Sequence, residues 1–275
     1  MKFATLIKNL TSLNLINMKR LLSKMSLGLT ILPAFIVFTG CSKNKDEAKP
    51  NDNVVVVTAT GDINAQLDEF RQLLGDQLNT TPGVVGGRRE INWDGVPDAL
   101  LNQKLPENFF NPVGEQASVA HQRGLVYSAA GNFQVSKTNF AEVNASAATE
   151  LSSFSGNKIF ANVSANKWDV EFQVPSKTLP ASVKGFGIVF SDVDLPKSTS
   201  LEFFDGEKSL GKFFAPAKNG SNFSFLGVYF KNKKVTRVRV EHQGQLDQGQ
   251  PDISNNGTVD LVAMDNFLYN EPVKN

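Results

Sequence analysis

Cysteine is almost absent from this chain: Cys41 is the only one in 275 residues. No intrachain disulfide can form, so stability has to come from burial. Histidine is nearly as scarce. His121 and His242 stand far apart, and with no further thiol they make a poor zinc set, because structural zinc takes four Cys or His ligands. The aromatic residues are 21 Phe against three Tyr and two Trp. Rings without a polar edge fill cores, whereas sugar-stacking platforms favour Tyr and Trp. No G-x-S-x-G elbow surrounds any serine, no EF-hand spacing occurs, and no repeat of fixed period runs through the chain. These gaps argue against a serine hydrolase of the elbow type, a calcium-sensor loop, and a propeller or solenoid.

Acids are missing from the first 40 residues, which carry Lys2, Lys8, Lys19, Arg20 and Lys24. Residues 25–38 follow as "MSLGLTILPAFIVF", too short for the roughly 20 apolar residues of a membrane span and interrupted by Pro33. A basic start, a short apolar run and small residues before a boundary describe a removable secretory signal over residues 1–40. The sequence from Met18 is a complete signal by itself, so translation is expected to start there. Of 28 basic residues five precede Cys41, leaving 23 against 27 acidic ones, a net of −4. That balance, with no Lys/Arg stripe, makes nucleic acid an unexpected partner.

Thr39, Gly40 and Cys41 resemble the lipobox of bacterial lipoproteins, with Phe38 where leucine is usual. The resemblance implies that the Cys41 thiol is acylated and becomes the first mature residue. One acyl chain holds a membrane only reversibly, so the two or three chains of such lipoproteins supply the lasting anchor. The triplet Lys45, Asp46 and Glu47 resembles the surface-export signal of some bacterial lipoproteins. The expected location is the bacterial outer membrane or cell surface, with the bilayer as a partner through Cys41. Residues 41–60 read as a polar tether, with "VVVV" (54–57) able to form a short strand at its end.

Beyond the tether, "GDINAQLDEFRQLLG" places Ile63, Leu67, Phe70 and Leu74 on one helical face, with Asp62 as N-cap and Gly75 as stop. Everything later reads as strand. In "KWDVEFQVP", Trp168, Val170, Phe172 and Val174 alternate with Asp169, Glu171 and Gln173, so Trp168 is expected in the core. "TRVRVEH" alternates likewise, and its preceding lysines suggest an edge strand guarded by cations. "GFGIVF", "SLEFF", "FSFLGVYF" and "VDLVAMDNFLY" are more apolar and read as central strands. "DGEK", "KNGSN" and "DISNNG" mark turns between strands. The expected fold is an all-β antiparallel sandwich of jelly-roll type over residues 61–272, with one N-terminal helix.

The segments "GRREINWDGVPD" (87–98), "LPENFFN" (105–111), "RGLVYS" (123–128), "FQVS" (133–136), "FGIVFSDVDLP" (186–196) and "VDLVAMDNFLYNEP" (259–272) resemble a family of exported bacterial jelly-roll modules. The resemblance implies an extracytoplasmic sandwich in secreted or surface-anchored proteins and carries no assigned reaction.

Two groups of residues can carry chemistry. Asp94, Asp98, Asp192, Asp194, Asp260 and Asp265 lie near strand ends, where sandwich domains gather calcium ligands. "SDVD" sets Asp192 and Asp194 at i and i+2, on one side of an extended chain, where they repel unless a cation or N–H donors compensate. Capping of turns or acceptance of backbone N–H bonds is the ordinary role of each acid; calcium, held by Asp192 and Asp194, is the one cofactor the pattern allows. Arg88, Arg89, Trp93 and Asp94 form the second group. An arginine fork and an indole can grip a carboxylate and stack on a sugar, or an arginine can bridge two loops while Trp93 fills the end of the core. The expected function is a noncatalytic binding or adhesion module for glycan or an envelope or host protein, with these four residues facing the ligand. A polysaccharide hydrolase using a carboxylate pair and a structural envelope protein are the alternatives.

Overall fold

The computed structural model describes residues 53–128 and 131–275. The expected signal peptide, the start at Met18, the lipidated Cys41 and the triplet 45–47 lie outside the described residues. In chain order the elements are β1 (Val54–Thr60), α1 (Asn64–Leu74), β2 (Arg88–Ile91), β3 (Leu125–Tyr127), β4 (Phe133–Ser136), β5 (Ile159–Asn162), β6 (Lys167–Phe172) and β7 (Ala181–Ser182). They continue with β8 (Gly185–Ser191), β9 (Ser200–Asp205), β10 (Lys208–Phe214), β11 (Phe223–Phe230), β12 (Arg237–Glu241), β13 (Ala263–Asn270) and β14 (Val273–Lys274).

The strands form two antiparallel sheets. One has the order β1-β11-β8-β13-β5-β4, with β2 also paired to β13, and the other has the order β10-β9-β12-β6-β3. The alternation read in β6 is realised: Trp168, Val170 and Phe172 are buried while Lys167 and Glu171 are exposed. Those side chains meet Phe186, Ile188, Phe190 and Phe267 from the facing sheet in one core. β12 is not an edge strand. It lies between β9 and β6, and the cations of its sequence have partners there: Arg237 Nη1 and Arg239 Nε reach the Asp169 carboxylate at 2.9 and 2.8 Å. Paired cations of this kind let a charged sequence occupy a sheet interior.

Helix α1 covers the outer face of the first sheet, burying Leu67, Phe70 and Leu74 against Val57, Val189, Phe225 and Leu268. Gly187 and Gly227 face each other across β8 and β11, and a Cβ on either would stand 2.8 Å from the Phe70 ring. The two glycines form the hollow in which Phe70 sits. Asp62 is not the N-cap, a place taken by Ile63 without a side-chain bond, although its Oδ1 accepts from the Asn64 N–H at 3.1 Å. Gly75 does end the helix, at φ 127°. The folded part begins before residue 61, because all seven residues of β1 pair with β11. No helix among the described residues is long and apolar enough to cross a membrane.

Strand register sorts the loops by end. Val54 pairs with Phe230 and Gly185 with Tyr229 where the chain enters, whereas Thr60 pairs with Ser224 and Ser191 with Phe223 at the opposite end. Ser191 leads through residues 192–199 to Ser200, which pairs with Glu241. The loops 192–199, 215–222 and 242–262 therefore gather at the end remote from chain entry.

Candidate metal centre

Asp192 and Asp194 stand where β8 ends. Between them Val193 turns into the core, fully buried, so the two carboxyls are left on one side. Asp192 takes a left-handed backbone, φ 70°, uncommon for a residue other than glycine, and its N–H donates to the Asn222 carbonyl at 2.8 Å. Two acids remote in sequence join them: one carboxylate oxygen from each of Glu150, Asp192, Asp194 and Asp252 lies within 4.8 Å of the others. Every position is held by the backbone or by neighbours. The Asp252 oxygens accept from the Leu261 N–H at 2.6 Å and the Ser254 N–H at 2.8 Å. Glu150 accepts from the Ser254 hydroxyl and the Asn255 amide. Behind the cluster, Asp260 Oδ2 accepts from the N–H groups of Asp194 and Leu195 at 3.0 and 2.9 Å.

Lys218 is the cation now inside this group. Its Nζ bonds Asp192 Oδ1, lies 2.7 Å from Asp194 Oδ1 and 3.9 Å from Glu150 Oε2. Burial works against its charge, but the Asp192 and Asp194 carboxylates outweigh it and raise its pKa. One ammonium faces four carboxyls, and the affinity of two of them for protons is raised. Burial raises Asp192 to about 7, with Asp194 and Asp252 adding to it and Lys218 opposing. Burial and the adjoining Asp194 raise Asp252 to about 6. Asp194 is lowered: burial acts against it, and hydrogen bonds with Asp252, Lys218 and Ser254 overcome that. Asp192 Oδ2 is buried without any hydrogen-bond partner, on a residue 1 % exposed. An unsatisfied buried carboxylate oxygen is costly and points to a further ligand.

The donor set suits a hard cation. It consists of carboxylate oxygens with the Ser254 hydroxyl nearby and no sulfur or imidazole, which favours calcium or magnesium over zinc. Calcium tolerates an irregular set of six to eight oxygens, whereas magnesium demands a regular octahedron.

The other expected site residues are not a ligand patch. Arg89 is fully buried, and its Nε and Nη2 grip both Glu271 oxygens at 2.7 Å while Nη2 also reaches the Thr81 carbonyl at 2.9 Å. Trp93 is also fully buried, stacked on Phe160 with centroids 3.8 Å apart, and its Nε1 donates to the Asp265 carbonyl. Both are corrections to the ligand-facing expectation. β2 turns Arg89 and Ile91 inward by period two, and the alternative of an arginine bridge with the indole in the core is what occurs. Arg88 lies on the other face, its Nε 2.7 Å from Glu90 and its Nη1 on the Gly75 carbonyl. Asp94 accepts from the Asn157 N–H at 2.9 Å, and Gly156 leaves room for its carboxylate. Asp98 is exposed between Lys137 and Lys158. Asp265 sits at a register shift of β13 and accepts from the Phe154 and Ser155 N–H groups, and burial raises it to about 7. Glu150 and Asp252 were not foreseen as ligands, since nothing in their local sequence ties them to "SDVD". Only "DISNNG" marked Asp252, and as a turn.

No family model matches the chain, and no curated protein matches it.

Proposed function

We propose that this chain is a lipid-anchored surface protein whose sandwich is a noncatalytic binding module, with a calcium-held loop end turned toward the ligand. The observation that carries the reading is the convergence of Glu150, Asp192, Asp194 and Asp252, from three loops, at the end remote from chain entry. Loops positioned by a rigid scaffold are where binding residues concentrate. Calcium among the four acids would supply the missing partner of Asp192 Oδ2 and tie together the loops that carry them. The binding reading is favoured over the hydrolase by the polar cleft on this end. Its one carboxylate, Glu241, is occupied by Lys212 at 3.0 Å and Lys167 at 3.4 Å, whereas glycoside hydrolysis uses two.

The test is calorimetric titration of calcium into the chelator-treated protein, with a thermal melt at each concentration. One bound calcium per chain and a rising Tm are expected, with both lost in Asp192→Asn and Asp252→Asn. Lys218→Met should bind calcium more tightly, because the competing ammonium is gone. No heat and no Tm shift at saturating calcium would remove the metal from the account. The anchor is tested separately with labelled fatty acid, which should enter the parent chain and not Cys41→Ser.

A further inference from the structure

Beside the cation cluster the loop end carries a cleft of about 510 Å³, within the range of about 300–1,000 Å³ common for ligand sites. A second hollow of about 300 Å³ shares Asn166, Gln243 and Val259 with it, so the two form one groove. The lining is unusual for a small-molecule pocket, being polar rather than apolar. Ser198, Ser200 and Thr258 bring hydroxyls to one part. Gln245, Gln248 and Gln250, from the run "HQGQLDQGQ", bring carboxamides to the other. A carboxamide offers a donor and an acceptor side by side, and a hydroxyl offers both on one atom. Such a wall matches a chain of hydroxyl groups, each of which also donates and accepts.

The wall carries Lys197 and Lys212 against Glu241, and Lys212 and Lys167 hold that carboxylate between them, so the groove has no free carboxylate to select a cationic ligand. His242 lines the cleft, 4 % exposed. Burial pushes the imidazole down to about 4, only partly opposed by the Gly244 backbone and Glu241, so the ring is neutral at pH 7 with one donor and one acceptor. A nearly buried, uncharged imidazole thus lines the groove without adding a charge to it.

We infer that this groove, from Asn166 and Gln243 to Ser198 and Thr258, binds a neutral oligosaccharide edge-on through its hydroxyls. No Phe, Tyr or Trp lines the groove, so recognition rests on hydrogen bonds rather than ring stacking. The inference rests on the reading of this loop end as the ligand-facing one. It also follows from the fold that the cation cluster supports the groove. Asp194 and Asp252 belong to the same loops as Ser198 and Thr258, and Gln243 Oε1 accepts from the Asp260 N–H at 3.3 Å.

The experiment is calorimetry of the full chain in detergent with millimolar cello-, xylo-, manno- and maltohexaose, with oligogalacturonate as the charged control. Saturable binding of at least one neutral hexasaccharide is expected, weakened about tenfold in the Gln243→Ala/Gln245→Ala double variant. The Tm of the double variant should be unchanged, as evidence that the fold is intact. Binding of oligogalacturonate alone, of no sugar at all, or equally by the double variant overturns the inference. Calcium titration of the same samples keeps the two readings apart. Calcium uptake without sugar binding sinks the groove only, and sugar binding without calcium uptake sinks the cation site only.

Discussion

The buried pair Arg89–Glu271 offers the sharpest test of whether the arginines of "GRRE" serve a ligand or the fold. Arg89 is fully buried and Glu271 is 5 % exposed. The carboxylate accepts two guanidinium bonds at 2.7 Å and a third from the Asn79 amide at 2.8 Å. The Glu271 N–H donates to the Gly87 carbonyl, so the pair pins the C-terminal segment to β2 and to the loop before it. Arg89→Met leaves an unpaired carboxylate in a dry site and should cost about 3–5 kcal/mol, as should Glu271→Leu, which strands the guanidinium. The double variant removes both charges. It should recover much of the loss, keeping a deficit of about 1–3 kcal/mol because the Thr81 and Gln122 carbonyls lose their donor. The coupling energy from urea unfolding of the four proteins should therefore be several kcal/mol, with the m-value unchanged. A single-variant cost below about 1 kcal/mol, or a coupling near zero, would refute the pin and return Arg89 to the pool of free ligand-binding groups.

Trp93→Ala should destabilise by about 3–5 kcal/mol in the same assay, since the ring is packed between Phe160, Phe110 and Phe267; a cost under about 1 kcal/mol would restore the surface-stacking reading. Asp265, raised to about 7, holds its proton more tightly folded than unfolded, so its contribution to stability falls as pH rises from about 4 to 7. Asp265→Asn should lessen that slope by about 1.4 kcal/mol per pH unit across the window, while the raised Asp192 and Asp252 keep the same sense and the depressed His242 opposes it, taking stability away as pH falls from 6.5 to about 4. Identical pH–stability curves for the parent and Asp265→Asn would contradict the burial of that carboxyl. Calcium must displace the protons of Asp192, near 7, and Asp252, near 6, so its affinity should fall as pH drops from about 8 to 5, by up to about tenfold per unit for each proton displaced. A pH-independent affinity would place the ion elsewhere.

What could be read along the chain was whatever neighbours encode. Leu67, Phe70 and Leu74 recur at the helical spacing and bury one face; Trp168, Val170 and Phe172 recur at two and enter the core. Both patterns follow from backbone geometry alone, because side-chain direction repeats at fixed intervals in helix and strand. "SDVD" likewise announced a carboxylate pair. Local pattern failed where a position's meaning depended on its neighbours across the fold. The lysines before β12 suggested an edge, but β9 and β6 flank that strand and Asp169 neutralises Arg237 and Arg239. "GRREINWD" has the residue types of a ligand grip, and only the pairing of β2 with β13 turns Arg89 onto Glu271 and encloses Trp93 among phenylalanines. Asp252 comes to Asp192 and Asp194, and Gln243 to Ser198, because the antiparallel register brings the loops joining the two sheets to one end, where the β4–β5 connection adds Glu150. By itself, then, the sequence determined the strand and helix periods, the all-β class and the apolar faces. The ligand sets depended on strand order and register, which non-local burial selects and no short stretch of chain contains.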